Sequence, residues 1–412
     1  MICDEPSRDE ARVYIVWHPD FLDGEGIAKQ LIADLDRATA GGDMLSVPTE
    51  VRSAPVPGFG QPILIDRYAA QFSVAVLLSE RHLVRAMQSE WRSFRDALAD
   101  SVPDISGRTT RHFVLPLIFA LDDMGALDPM QPDQDAPNGT LWDAPQAIRA
   151  YSWDEDPAHQ AVKRVLFVLR TLLIGLELTS DTAEMAADRH LVFLSHAKAD
   201  KIAAQERGTE VLIEALRSRM ADTGVALDPF FDETHLTPAL GWRFQFLRAI
   251  ERSSFVALRT DAYGSRPVCQ WELLEAKRRR RPAICIDAVS ERELVSFAYG
   301  GNLPTLRLGA ELDLAGIDTL LMALIGETVR CMIWLREAAR VVAKIEFEAV
   351  TLLPRPAELA DLAFHVMEHK DQPSHLIYPD PPLSNDALAL IDALRPDWVQ
   401  ILPLSAVRED RS

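Results

Sequence analysis

The sequence predicts two tandem open α/β domains with parallel sheets, followed by a small C-terminal α/β unit. Three observations point there. Short apolar runs alternate with helical stretches, the rhythm of an open α/β sheet. Those runs are continuously apolar rather than alternating, as parallel strands covered by helices on both faces require. The rhythm also recurs along the chain: Val13 to Val74 spans 61 residues and Val192 to Val256 spans 64. In each half a polar loop and a helix follow the later strand, carrying an acidic residue beside a tryptophan, Glu90-Trp91 and then Trp271-Glu272. Two similar domains explain the recurrence most economically.

The elements follow in order. Residues Arg12 to Trp17 (RVYIVW), Gln71 to Leu78 (QFSVAVLL) and His112 to Phe119 (HFVLPLIF) are strands rich in β-branched and aromatic side chains. Helical patterns fall at Ile27 to Leu35 and Met87 to Leu98. Residues 123–160 break the rhythm with many Pro, Asp, Gly and Asn residues and read as a linker or insertion. An apolar helix, Ala161 to Leu178, leads into the next domain. There the strands are His190 to Leu194, Val225 to Phe231, Phe255 to Leu258 and Ala283 to Ile286, with helices to about Met220 and around Phe244 to Ile250. A long helix, Gly316 to Val342, follows. The last elements are Lys344 to Val350, a helix near Leu359 to Glu368, His375 to Tyr378, a helix near Leu388 to Leu394, and Trp398 to Leu402. The resulting partition is 1–122, 123–188 as linker and connecting helix, 189–308, and 309–412.

Composition narrows the function classes. The 412 residues, 48% hydrophobic and 25% charged, suit a folded globular chain of two to three domains. The net charge is −19 and no broad basic face can be drawn, so direct nucleic-acid binding through a large groove is disfavoured. The basic run Lys277 to Arg281 stands at a helix end before Pro282 and reads as a solvated cap complementing the helix dipole. Cys3, Cys269, Cys285 and Cys331 lack CxxC spacing, which argues against a zinc or disulfide framework. The acidic N-terminus is unlike a signal peptide, and the most apolar stretch, Val165 to Leu178, is too short for a bilayer and contains Arg170. A cytoplasmic protein with no membrane partner is expected.

The stretch Ser253 to Asp287 holds a strand, a polar loop, a helix and a second strand, with Glu272 on the helix between Cys269, Trp271 and the basic run. On residue type alone, Glu272 is a solvated first-turn helix residue, Cys269 a small buried side chain, and Trp242 and Trp271 core or interface residues. The adjacent Ser195-His196 pair is not read as a hydrolase dyad, because neighbours on one turn rarely share the required geometry.

Several ordered pieces give these residues another meaning. They are a strand ending in Ser195-His196 with Asp200 beyond, Phe230-Phe231-Asp232, Leu236 to Gly241-Trp242, Ala249-Ile250-Glu251-Arg252-Ser253, Asp261-Ala262-Tyr263 with Ser265, and Cys269-Gln270-Trp271-Glu272-Leu273. Together, over about residues 189–308, they resemble a Toll/interleukin-1 receptor (TIR) domain, and residues 11–122 look like a degenerate repeat of it. The resemblance implies flavodoxin-like domains. It further implies, as in bacterial members, an NAD+ glycohydrolase that releases nicotinamide and leaves ADP-ribose or a cyclic variant. Such enzymes act in antiviral immune signalling and are activated by oligomerisation through their TIR domains, with a sensor or partner protein as trigger.

The family's S-x-W-C-x-x-E pattern carries its catalytic glutamate to Glu272. Val268 stands where the pattern has tryptophan, and Ser265 is one residue farther away than the pattern's serine. Substrate contacts are expected from Ser195, His196 and Lys198 in the SHAKAD turn, from Phe231, Asp232 and Trp242 around the closing loop, and from Trp271. NAD+ would be the substrate, with no cofactor and no metal. The alternatives are a non-catalytic TIR interaction module and a nucleotide sensor without turnover.

Overall fold

A computed structural model describes residues 9–39, 46–66, 69–99, 112–119, 148–153, 156–178, 189–197, 201–202, 207–230, 241–289, 293, 295, 298–307, 314–345 and 347–409. The chain divides into two compact units, 1–37 with 46–186 and 38–45 with 187–412. Three all-parallel sheets of four, five and three strands make the fold α/β, with flavodoxin-like strand order in the two larger ones.

In the first unit, β1 (Asp9–Val16), β2 (Thr49–Arg52), β3 (Ala70–Ser79) and β4 (His112–Ile118) lie side by side in the order β2-β1-β3-β4. The helices are α1 (Gly24–Thr39), α2 (Arg81–Gln88), α3 (Arg92–Ala99) and α4 (Pro157–Leu178). The helix expected from Met87 to Leu98 is two helices. The chain turns over at Ser89, whose amide bonds back to the Ala86 carbonyl, and α3 starts beyond the buried Trp91. The helix expected to lead into the next domain, α4, packs on β3 and β4 of this sheet. Most of the 123–160 stretch lies outside the described residues.

The second unit begins with β5 (His190–His196), α5 (Thr209–Asp222), β6 (Leu227–Phe230), α6 (Trp242–Ile250) and β7 (Ser253–Arg259). It continues with α7 (Pro267–Arg278), β8 (Ala283–Asp287) and β9 (Thr305–Arg307). The sheet order is β9-β8-β7-β5-β6, which counted from its first strand is the doubly wound 2-1-3-4-5 arrangement. The first sheet shows the same order for four strands. Register supports the likeness: Val13 pairs with Val74 in one sheet, and Val192 with Ser254 in the other.

The long helix α8 (Leu314–Val342) packs on β7, β8 and α5. It is fastened by a buried pair, Arg219 donating to both Asp318 oxygens at 2.6 Å, and by Thr328 bonded to Ser254 at 2.5 Å. Its C-terminal half meets the three-stranded sheet through a core of Trp334, Ala338, Ile377, Leu404 and Val407. That sheet holds β10 (Val350–Leu352), β11 (Ser374–Tyr378) and β12 (Val399–Pro403), with α9 (Leu359–His369), α10 (Asn385–Asp392) and α11 (Leu404–Glu409). The strand expected from Lys344 is instead a turn, in which the amides of Lys344 and Ile345 bond back to Val341 and Val342. Among the described residues no helix is long and apolar enough to cross a membrane.

Candidate active site

In a doubly wound sheet the connections leave opposite faces where the strand order reverses, and a crevice opens at the carboxyl ends of those strands. Here the reversal falls between β5 and β7. Three residues converge there. Ser195 is the next-to-last residue of β5, Tyr263 lies in the 3-10 turn Tyr263–Ser265 beyond β7, and Glu272 comes from α7. Pro267 occupies the first turn of α7, where its fixed φ favours helix and its missing N–H costs nothing.

The Ser195 hydroxyl donates to Glu272 Oε2 at 2.6 Å, and the Tyr263 hydroxyl lies 2.9 Å from Ser195 Oγ. Because the Ser195 proton is committed to the carboxylate, Tyr263 is the donor of the second bond. The result is a relay from Tyr263 to Ser195 to Glu272, in which each bond polarises the next. Burial pushes the Tyr263 phenol well above its usual pKa, with the neighbouring Cys269 and Glu272 adding to the effect, so the phenol keeps its proton. Glu272 is only 6% exposed. It stands in the second turn of α7, so the reading of a solvated first-turn residue is overturned. An apolar floor keeps the group dry: Phe193 stacks on Phe230 and Phe255 at 5.2 and 5.4 Å, with Cys269 and Leu273 in the same cluster.

Cys269 is buried as expected, its thiol donating to the His196 carbonyl at 3.4 Å, so α7 is tied to the end of β5 at two successive residues, Ser195 and His196. The Gln270 amide donates to the Gly264 carbonyl at 2.5 Å and the Ser265 hydroxyl to the Ala262 carbonyl at 2.8 Å, fixing the turn that carries Tyr263. Trp242, at the start of α6, meets Trp271 edge to face at 5.6 Å, and the Arg243 guanidinium lies 5.3 and 5.7 Å from the two rings. Trp242 is 40% exposed. Val268, in the first turn of α7, is exposed.

Of the residues singled out in the sequence, Glu272 and Ser195 come into direct contact, and Trp242 and Trp271 form a second pair. His196 follows Ser195 at the strand end. Lys198, Phe231 and Asp232 lie outside the described residues. Sequence reasoning gave no role to Tyr263 or Arg243, although Tyr263 belongs to one of the quoted pieces. The basic run stands at the helix end as expected, with Arg278 exposed, but its first residue is not solvated. Lys277 is 2% exposed and donates to the Tyr299 carbonyl at 2.6 Å, to Asn302 Oδ1 at 2.8 Å and to Glu358. Burial draws its pKa down to about 7. Beyond it, Arg279 pairs with Glu251 and Glu275, and Arg280 with Glu368.

Among the described residues the first unit carries no such relay. The acidic and aromatic neighbours are transposed there, so that Trp91 is fully buried while Glu90 is exposed. Fold and site thus define a doubly wound α/β protein with one buried carboxylate at the switch point of its second unit. No protein-family model and no curated protein matches the chain.

Proposed function

We propose that the second unit is a TIR-type NAD+ glycohydrolase with Glu272 as its catalytic group. The observation that carries the reading is the buried Glu272 carboxylate, held by Ser195 at 2.6 Å at the switch point of a 2-1-3-4-5 sheet. Such a position binds ligands in open α/β sheets. Nicotinamide in NAD+ is already a cationic leaving group. It departs with the electron pair of the glycosidic bond, and no strong general acid is needed. Positive charge then develops on the ribose, as in glycoside cleavage. A fixed carboxylate in a dry setting stabilises that charge with little reorganisation. Water adds to the ribosyl cation and gives up its proton, leaving ADP-ribose; attack by the adenine instead gives a cyclic product.

The Tyr263–Ser195 relay would hold the carboxylate oriented. Trp271, Trp242 and Arg243 would offer stacking faces and a cation to the dinucleotide, alongside His196, Lys198, Phe231 and Asp232. In this reading turnover depends on assembly through the TIR domains, within a cytoplasmic immune-signalling response. Purified untagged chain incubated with NAD+ at rising protein concentration is expected to release nicotinamide, and Glu272→Gln is expected to abolish that release.

A second reading, a non-catalytic TIR interaction module, is favoured by the low exposure of Glu272 and by Val268 in place of an aromatic residue. Absence of turnover in every assembly state, with binding to another TIR domain intact, would establish it.

A further inference from the structure

The first unit has its own order reversal, between β1 and β3. At the carboxyl ends of these strands, three side chains converge that the reading above does not use. His18 lies two residues beyond β1, Asp20 sits in the following turn, and His82 is in the first turn of α2. One ligand atom from each lies within 4.8 Å of the other two. The Nδ1 atoms of His18 and His82 stand 3.7 and 3.8 Å from Asp20 Oδ2. The two rings stack at 5.8 Å with an interplanar angle of 16°.

The surroundings hold this arrangement in place. The His18 ring packs on the fully buried Trp91 at 5.2 Å. The Glu80 side chain accepts from the His82 and Leu83 amides at 2.8 and 2.7 Å, which fixes the start of α2. The Asp20 amide donates to His18 Nδ1 at 3.2 Å, so this nitrogen presents a lone pair toward the Asp20 side. A cation bound at this nitrogen would take over the lone pair that the Asp20 amide holds here.

We propose that His18, Asp20 and His82 bind a divalent transition-metal cation, zinc foremost. Two imidazoles and one carboxylate are a donor set for zinc and its neighbours rather than for calcium or magnesium. Ligands at 2.0–2.2 Å from a tetrahedral ion stand about 3.4 Å apart, so each histidine nitrogen closes on Asp20 Oδ2 by a few tenths of an ångström on binding. His82 would then carry its proton on Nε2, displacing the exposed Arg81 donor that lies 3.3 Å from that atom. Three protein ligands leave a fourth position open, the pattern of zinc sites that bind water or an anionic oxygen. Asp20 is solvent-exposed, so the ion has a path of entry.

Isothermal titration of ZnCl2, and of CoCl2 with visible absorption, into chelator-stripped, untagged full-length chain tests the proposal. One equivalent is expected to bind, with the Co2+ spectrum of a low-coordinate nitrogen and oxygen site. Affinity should fall at least about 100-fold in His82→Gln and in Asp20→Asn. His82 and Asp20 reach solvent, so both variants are expected to fold; matching circular dichroism and thermal melts without metal check this. His112→Gln, a histidine outside the trio, should bind as the parent does. Absence of stoichiometric binding, or binding unchanged in His82→Gln and Asp20→Asn, overturns the proposal. NAD+ turnover is measured in parallel: the Glu272→Gln chain should keep its metal, so the two assignments fail separately.

Discussion

A serine hydroxyl helps to hold the Glu272 carboxylate. Ser195 donates to it at 2.6 Å, and Tyr263 supports Ser195 from behind. Removing the serine hydroxyl takes a donor from a buried charged acceptor, whereas removing the tyrosine hydroxyl leaves the Ser195–Glu272 bond in place. Ser195→Ala should therefore lower stability by about 1–3 kcal/mol, and Tyr263→Phe by about 0.5–1.5 kcal/mol, as read by urea unfolding. Equal losses in the two variants would show that Glu272 does not draw on Ser195 as a charged acceptor. This contact joins residues 77 apart in the sequence. Glu272 was legible as a candidate because its neighbours resemble a motif. Its partner Tyr263 was not, because only the reversal of strand order brings the turn after β7 beside the end of β5. The trio of His18, Asp20 and His82 escaped sequence reading for the same reason.

At the scale of elements, the buried parallel strands were readable because each carries a continuous apolar run, Phe255 to Leu258 in β7. Strand β7, for instance, has every residue buried except the last. The edge strands β2 (TEVR) and β9 (TLR) were missed: both are short, polar and partly exposed, without the continuous apolar run that marks a central strand. The basic run misled for a different reason. Helix α7 ends with the Arg280 and Arg281 amides bonded to the Lys277 and Ala276 carbonyls, and Arg280 takes a φ of 54°. That left-handed turn, usually glycine's, closes the helix end at Arg280, which pairs with Glu368, while Lys277 one turn earlier is held inside by Tyr299, Asn302 and Glu358.

Close helix packing gives a further test. Gly175 in α4 faces β3, and a Cβ there would lie 2.7 Å from the fully buried Phe72 ring. Alanine normally gains about 1 kcal/mol over glycine inside a helix. Overpacking outweighs that gain, so Gly175→Ala is expected to destabilise the chain by about 1–3 kcal/mol in a thermal or urea melt. A stabilised variant would mean that α4 stands off the sheet.

For the molecule as a whole, the second unit couples its three-stranded sheet to solution pH. His365 on α9 bonds Thr351 on β10 and Ser374 on β11, each at 2.8 Å, and is buried. Burial, helped by the nearby His369, Arg280 and His375, lowers its pKa from 6.5 to about 4. Between those values the unfolded chain binds a proton that the folded chain excludes. Stability from this group is therefore complete above about pH 6.5 and is lost as pH falls toward 4. Urea midpoints of the full chain at pH 7.5, 6 and 5 should decline, and the decline should be shallower in His365→Gln. Identical slopes would remove His365 from the acid response.

The repeated sheet order in the two units, with a carboxylate relay at one reversal and a histidine–aspartate trio at the other, is the framework that gives each site its place. The most direct measurement is the rate of nicotinamide release from NAD+ by the parent chain and by Glu272→Gln, at matched concentration and with matched melts. Turnover in the parent that falls at least about 100-fold in the variant is the predicted result. Turnover unchanged by the substitution, or absent from the parent in every assembly state, would contradict the assignment of Glu272.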